Sequence, residues 1–308
     1  MKKVVITGGS GFIGSHLAEE LAGRDYQVII LDDLSTGRME NLKSVVGRRN
    51  VGFIEGSVTE VGLLRDIFKD VSYVFHQAAI PGVPQSIKDP MATHQVNVTG
   101  TLNVLMAARD CGAKKVVYAS SSSVYGDTPT LPKIEDMIPN PQSPYAVSKL
   151  AGEYYCRVFT LVYSLPTICL RYFNVFGPRQ NPDSDYAAVV PRFITAVLSG
   201  RPPVIYGDGK QTRDFTFVRD VVKANILAVE GDSTGVYNIG SGQRTDIAGL
   251  AHVITELIGK GDIKPVHEDE RTGDIRHSLA DISKAESFGY SPVFNLSEGL
   301  KLTIGEYL

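Results

Sequence analysis

Val4-Val5-Ile6-Thr7-Gly8-Gly9-Ser10-Gly11-Phe12-Ile13-Gly14 decides the fold of this chain. The first four residues are an apolar, β-branched run that reads as a buried strand. Glycines at 8, 11 and 14 permit a tight turn, and an amphipathic helix follows through Leu21 with Gly23 as its stop. The backbone N–H groups around Gly11, Phe12 and Ile13 would then face a diphosphate at the helix N-terminus. A second strand, Val28-Ile29-Ile30-Leu31, ends on Asp32, about twenty residues beyond the glycines, where an acid accepts hydrogen bonds from an adenosine ribose. An acid at that place repels a 2′-phosphate, so the pattern favours NAD over NADP. A glycine triplet alone is weak evidence. Strand, triplet, helix, strand and acid in that order predict a Rossmann half: an α/β, doubly wound, parallel sheet.

The whole chain bounds what this fold can be doing. Its 308 residues suit one large or two fused domains, and 43% hydrophobic with 21% charged residues is ordinary for a soluble globular protein. A formal net charge of -3 argues against a nucleic-acid binder. No run approaches the roughly 18 apolar residues of a membrane span, and the N-terminus enters Val4-Val5-Ile6 with no secretory h-region. Cys111, Cys156 and Cys169 form no CxxC and read as reduced thiols, so a cytoplasmic location is expected. No His/Cys cluster has metal-ligand spacing, and no metal is expected.

Outward from the glycine turn, the same logic places further elements. Val51 to Gly56 reads as a third strand leading to Ser57-Val58, and Tyr73-Val74-Phe75-His76 as a fourth leading to Gln77-Ala78-Ala79. Pro90 opens a long helix through Ala108 that carries Asn97. Val116 to Ala119 is a fifth strand running into Ser120-Ser121-Ser122-Ser123-Val124-Tyr125-Gly126, four hydroxyls where parallel sheets bind ligands. Some twenty residues on, Tyr145-Ala146-Val147-Ser148-Lys149 puts a phenol and an ammonium one turn apart on one helix face. A Tyr ionises near ~10, and a cation beside it favours the phenolate, so the pair can make a base for a sugar or alcohol hydroxyl. Thr167 to Leu170 is a sixth strand, ending in Arg171-Tyr172-Phe173-Asn174-Val175-Phe176-Gly177-Pro178.

GGSGFIG, Asp32, SSSSVYGD, SPYAVSK and RYFNVFGPRQ, in this order and over nearly the full chain, resemble the extended short-chain dehydrogenases acting on nucleotide sugars, in particular the nucleotide-sugar 4-epimerases. The resemblance implies a Rossmann-like NAD domain over 1–174 and a smaller substrate lobe over 175–308, with part of 215–240 packing back on the first domain. It implies cofactor contacts from Gly8, Gly11, Phe12, Ile13, Gly14, Asp32, Asp33, Ser35, Thr36, Gly37, Ser57, Val58, Gln77, Ala78, Ala79, Asn97, Tyr145, Lys149 and Tyr172. Relatives usually have Asp at position 57 on the adenine amino group, so Ser57 weakens that contact. Tyr145, Lys149 and Ser121 would be catalytic. Ser122, Ser123, Asn174, Val189, Val204, Tyr206, Arg213, Arg271 and Ser278 would bind substrate beside Ser121 and Tyr145, the two arginines on the diphosphate. Relatives often pair through the Asn97 and Tyr145 helices, which implies a homodimer.

The resemblance also implies how the reaction begins: Tyr145 takes the proton from the sugar 4-hydroxyl while hydride moves from C4 to NAD⁺, giving a 4-keto sugar. The fate of that keto sugar depends on the neighbouring residues. A 4,6-dehydratase carries an Asp-Glu pair just past the Ser of this strand, and decarboxylases of UDP-glucuronate commonly carry a Glu; here those positions are Ser122 and Ser123. With no second acid the keto sugar takes the hydride back on its other face, which is 4-epimerisation. Ser278 falls where glucose/galactose-only epimerases carry a Tyr, and Ser leaves room for a 2-acetamido group. The expected substrates are therefore UDP-GlcNAc and UDP-GalNAc, with UDP-Glc and UDP-Gal also accepted. UDP-glucuronate 4-epimerisation is the runner-up, although those relatives usually have Thr at Asn174. A silent NAD-binding regulator would be expected to have lost Tyr, Lys or Ser, and all three are present.

Overall fold

The computed structural model describes residues 1–182, 188–270 and 275–308. The chain begins with β1 (Lys2–Thr7), α1 (Phe12–Ala22), β2 (Tyr26–Asp32), β3 (Val51–Glu55), α2 (Val61–Ile67) and β4 (Tyr73–His76). Then come α3 (Val83–Lys88), α4 (Pro90–His94), α5 (Gly100–Asp110), β5 (Lys115–Ser121), α6 (Pro144–Tyr163) and β6 (Thr167–Tyr172). The next elements are β7 (Val175–Phe176), α7 (Val189–Leu198), β8 (Val204–Tyr206), β9 (Thr212–Arg213), β10 (Thr216–Phe217) and α8 (Val218–Glu230). The chain closes with β11 (Gly235–Ile239), β12 (Thr245–Asp246), α9 (Ile247–Ile258), β13 (Val266–Glu268), α10 (Ser283–Glu286) and α11 (Leu296–Ile304).

Seven strands form one parallel sheet in the order β11-β6-β5-β4-β1-β2-β3. The near-continuous apolar strands Val4-Val5-Ile6 and Val28-Ile29-Ile30-Leu31 are what a parallel sheet covered on both faces requires. On one face α1 and α8 close a core containing Val4, Ile6, Leu17, Val28, Ile30 and Val221. On the other, α2, α5 and α6 close a core containing Val5, Leu31, Leu64, Val104, Tyr118 and Cys156. Strand order reverses between β1 and β4, and in such sheets the crevice above that reversal, at the carboxyl ends, is where ligands bind.

β11 joins the main sheet beside β6, although it comes after four short strands of the smaller lobe. That lobe has its own core, built from Val190, Phe193, Ile205, Leu250, Ile254 and Leu300 on α7, β8, α9 and α11. The predicted helix from Pro90 through Ala108 is a single rod with one departure: Gln95–Thr99 between α4 and α5 is a π-helical turn. Such wide turns inside α-helices mark functional segments more often than chance. No helix among the described residues is long and apolar enough to cross a membrane.

Candidate active site

At the reversal point the backbone of the glycine turn lies directly on the loop after β4. Gly8 has φ +70, and a Cβ on it would lie 2.6 Å from Ala78 N; a Cβ on Gly14 would lie 2.2 Å from the Gly8 carbonyl oxygen. Only glycine fits either position. Helix α1 starts at Gly11 with no side-chain cap and no acid in its first turn, so its leading N–H groups at Phe12 and Ile13 are open to an outside acceptor. Ser10 Oγ, buried in the same turn, has no hydrogen-bond partner. An uncapped helix N-terminus with an orphan hydroxyl suits a diphosphate.

Asp32 ends β2 with its carboxylate buried beside this turn. Oδ2 accepts from Ser10 N at 3.0 Å and Oδ1 from Leu34 N at 2.9 Å, which leaves lone pairs on both oxygens. Gly37 packs against Ser10 and Asp32. Asp33 accepts from both the N–H and the hydroxyl of Ser35, fixing the loop that carries exposed Thr36. Ser57 is not idle: its N–H donates to Glu60 Oε1 and its hydroxyl accepts from Thr59, so it caps the turn before α2, with Val58 buried behind it.

Asn97 has a narrower place than a cofactor contact. Its amide nitrogen donates to the Ile80 carbonyl and to Ser148 Oγ, and its oxygen accepts from Ile80 N. Both donors are consumed and the residue is 1% exposed, so Asn97 holds the loop after β4 against α6. The π-turn is what aims it there. Gln77 meets Tyr172 and Asn225: Gln77 Nε2 lies 3.1 Å from each, and Asn225 Nδ2 donates to the Tyr172 hydroxyl at 2.8 Å. Burial pushes the Tyr172 phenol up to about 12, so it stays protonated. Asn225 escaped the sequence reading; its signal is a fully buried amide on the apolar stripe of α8.

His76 is spent on structure, hydrogen-bonded through both ring nitrogens. Thr101 donates to the Asn97 carbonyl, so its oxygen is left to accept from Nε2–H at 2.9 Å, and Thr7 donates to Nδ1 at 2.7 Å. Burial, aided by the charge on Lys149, pushes this imidazole down to about 3. An unfolded His takes up a proton near ~6.5. The unfolded state therefore binds the extra proton between those values, and His76 costs the fold stability progressively as pH falls from 6.5 towards 3. Its ring resonances should stay in the neutral position from pH 8 to pH 5 in an NMR titration; a midpoint inside that window contradicts this account.

Tyr145 stands in the first turn of α6, whose start is capped by Ser143 Oγ accepting from Ala146 N, with Pro144 in the first turn. Ser121, at the end of β5, stands beside the Tyr145 phenol and favours its ionised form. Ser121 Oγ also accepts from Ser123 N at 3.2 Å, which fixes the 3₁₀ turn of Ser122–Tyr125. Lys149, 4% exposed, sits one turn further with Nζ 5.8 Å from the Tyr145 ring centroid. The ammonium donates to the Ala119 carbonyl at 2.9 Å. The expectation that Lys149 holds Tyr145 below its ordinary value is not met in this geometry. Burial pushes the phenol up and the Ser121 hydrogen bond only partly opposes it, because the cation is spent on a carbonyl. Burial pushes Lys149 itself down to about 8. Ser123 Oγ is buried without a partner, which leaves an unclaimed hydroxyl beside this pair.

The remaining predicted residues begin at the end of β6 and continue into the smaller lobe. Asn174, exposed at the end of β6, has φ +21, in the left-handed region that Asn tolerates. Val204 and Tyr206 share one face of β8 while Ile205 enters the core. The Arg192 guanidinium lies 5.4 Å from the Tyr206 ring centroid, and a cavity of about 430 Å³ opens between Arg192, Thr195, Pro202 and Val204. Val189 begins α7 nearby. Arg213, on β9, donates to the Thr212 carbonyl at 3.0 Å. Ser278 lies alongside, its N–H donating to Thr212 O at 3.0 Å, and is 8% exposed. Asp214 binds this corner together, accepting from Ser241, Gly242 and Ala280 through four hydrogen bonds. Arg271 lies outside the described residues.

Comparison with known proteins extends this geometry. Residues 4–240 match the NAD dependent epimerase/dehydratase family. A UDP-glucose 4-epimerase of Mycolicibacterium smegmatis is 40% identical over 308 residues, covering 98% of this chain and 97% of that protein. The structure of UDP-N-acetylglucosamine 4-epimerase from Methanobrevibacter ruminantium M1 in complex with UDP-N-acetylmuramic acid superposes with a TM-score of 0.96 at 44% identity, covering 99% and 98% of the two chains. UDP-glucuronic acid 4-epimerase from Bacillus cereus, in complex with UDP-glucuronic acid and NAD, gives a TM-score of 0.92 at 34% identity over 99% and 98%.

Proposed function

The chain belongs to the NAD-dependent epimerase/dehydratase family and is an enzyme of its UDP-sugar 4-epimerase group, and from that premise we propose that it interconverts UDP-GlcNAc with UDP-GalNAc and accepts UDP-Glc and UDP-Gal. The observation that carries this reading is the wall beside Tyr145. It is made of hydroxyls at Ser121, Ser122 and Ser123, with no carboxylate on the turn to expel water or to assist loss of CO₂.

Each group of residues has its own part in the reaction. Phe12 and Ile13 N–H groups and Asp32 hold the diphosphate and ribose of NAD. Bound NAD⁺ supplies the acceptor for the C4 hydrogen and one positive ring charge. Tyr145 takes the 4-hydroxyl proton as the phenolate and becomes the neutral phenol, and Ser121 donates to that phenolate beforehand and shares the substrate oxygen. That second hydrogen bond offsets part of the burial that opposes ionisation. Lys149 keeps its charge below about pH 8 and adds a cation one turn away. Arg213 and Arg271 clamp the diphosphate, and Val204 and Tyr206 face the uracil. The sugar is thereby free to turn over while its nucleotide stays fixed, and Ser278 leaves space for the acetamido group.

A panel of UDP-Glc, UDP-GlcNAc, UDP-GlcA and their C4 epimers tests this directly. The acetylated pair should equilibrate fastest without added NAD. Exclusive turnover of UDP-GlcA would move the assignment to the glucuronate epimerases, which the Bacillus cereus structure represents.

We also propose a homodimer. Helix α6 exposes Val147, Tyr154, Val158, Leu161 and Val162 along one stripe, and Leu161 is 71% exposed. Met91 on α4, 75% exposed, and Ile87 on α3 extend the same surface, since both helices pack on α6. A second copy meeting this face would bury it in a four-helix arrangement. Val158→Glu combined with Leu161→Glu should turn a dimer into a monomer by sedimentation equilibrium; an unchanged mass contradicts this interface.

A further inference from the structure

A second polar cluster lies beneath Tyr145 and Lys149, completely enclosed. The stripe of α6 that carries those two residues continues one turn further to Glu153. Glu153 is 4% exposed, and Arg171 on β6 is 3% exposed. Arg171 Nε donates to Glu153 Oε1 at 2.8 Å and Nη2 to Oε2 at 2.7 Å, a bidentate pair. Ser120 Oγ donates to the same Oε1 at 2.5 Å. In the β5–β6 ladder Ser120 stands directly opposite Arg171. One carboxylate from α6 therefore grips the ends of two neighbouring strands.

The chain neighbours of Ser120 are the two groups that act on the base. Ala119 presents the carbonyl that receives the Lys149 ammonium at 2.9 Å, and Ser121 presents the hydroxyl that favours the ionised form of Tyr145. A buried ion pair is a weak source of stability, because desolvation offsets the attraction and apolar residues often serve as well. A cluster placed at this one residue of β5 has a different use: it sets how far the strand end reaches towards α6. We propose that Ser120, Glu153 and Arg171 are positioning residues that hold Ala119 O and Ser121 Oγ in bonding reach of Lys149 and Tyr145. This rests on Tyr145 being the base. None of the three touches substrate. Their effect runs through the β5 backbone.

The Ser120 hydroxyl gives the clean test, because Ser120→Ala leaves the Glu153–Arg171 pair intact. Two readouts are taken on the full chain. The first is the ultraviolet titration of the Tyr145 phenol, obtained by subtracting the matching Tyr145→Phe protein. The second is kcat and KM for the UDP-sugar that the wild type turns over. In Ser120→Ala the Tyr145 titration should move up by about one pH unit, since a misplaced Ser121 no longer favours the phenolate. At neutral pH kcat should then fall about tenfold, with KM within about twofold. Ser120→Thr keeps the hydroxyl and should restore both. A Ser120→Ala protein with the wild-type titration and kcat, whatever its melting temperature, reduces the cluster to a structural staple and overturns the inference. So does a threonine variant that behaves like the alanine one. If Tyr145→Phe keeps full turnover, the base assignment fails separately, and the phenol titration still decides whether Ser120 acts on Tyr145.

Discussion

Tyr145→Phe should lower kcat by about 10²–10⁴-fold, the range for removing a positioned acid–base group, with circular dichroism and melting temperature close to wild type. The hydroxyl that is removed makes no hydrogen bond that holds the fold among the described residues, and the ring keeps its place beside Lys149 Nζ, which lies 5.8 Å from the ring centroid. KM for the UDP-sugar should change little, because the proposed binding mode holds the nucleotide through the smaller lobe. The pH profile of the wild type carries the same signature. Burial pushes the Tyr145 phenol above its ordinary value, so kcat should rise with pH through the neutral range as the phenolate fraction grows. It should level above about 8, where Lys149 loses its proton and the ammonium that holds the Ala119 carbonyl is neutralised. Retention of wild-type kcat in Tyr145→Phe removes the catalytic assignment.

Ser278→Tyr should separate the acetylated from the plain sugars. The segment carrying Ser278 cannot back away. On one side Ser278 N donates to Thr212 O; on the other, Lys133 N donates to Leu279 O and Asp281 N to Lys133 O, which ties the segment to the larger lobe. Lys133 is itself 2% exposed, its ammonium held by the Thr128 carbonyl. On the proposed binding mode, a phenol added at Ser278 fills the space left for the acetamido group. Overpacking costs about 1–3 kcal/mol, which corresponds to about 5- to 150-fold in kcat/KM for UDP-GalNAc, with UDP-galactose spared. Undiminished turnover of UDP-GalNAc in this variant would dismiss Ser278 as a gate.

Much of the fold was legible because its signals are local. The β1 apolar run, the glycine turn and Asp32 lie within 32 residues and need no partner to be understood. Tyr145 and Lys149 share a face of α6 as their spacing predicts, whereas Ser121 was singled out among four serines only by the resemblance. What the sequence hid is tertiary. A period of 3.6 residues continues almost unbroken through Pro90 to Ala108, so the π-turn that aims Asn97 at Ile80 left no mark in it. Asn225 meets Gln77 and Tyr172 across a separation of 148 and 53 residues, respectively. The elevated phenol of Tyr145 depends on burial, which spacing does not encode, and on where Lys149 sends its proton donors. The return of part of 215–240 to the first domain was implied by the resemblance; its exact place, β11 paired beside β6 at the sheet edge, is set by tertiary pairing.

Glu153 is the instructive case between these extremes. The pattern Tyr145-x₃-Lys149-x₃-Glu153 is plain in the sequence, and helical spacing alone puts all three on one face. What it cannot show is that the third member turns to Arg171 and Ser120 instead of to the first two.

The central claim is that one sugar carbon is oxidised and then reduced again on its other face, with Tyr145 moving the proton. The most direct test uses UDP-GalNAc deuterated at C4, incubated with the protein as purified and with no added NAD, and read by NMR. The account predicts UDP-GlcNAc that keeps its deuterium at C4, with no loss of water or of the acetamido sugar. Product whose C4 position has exchanged with solvent, or no epimer at all from any UDP-hexose, would contradict it.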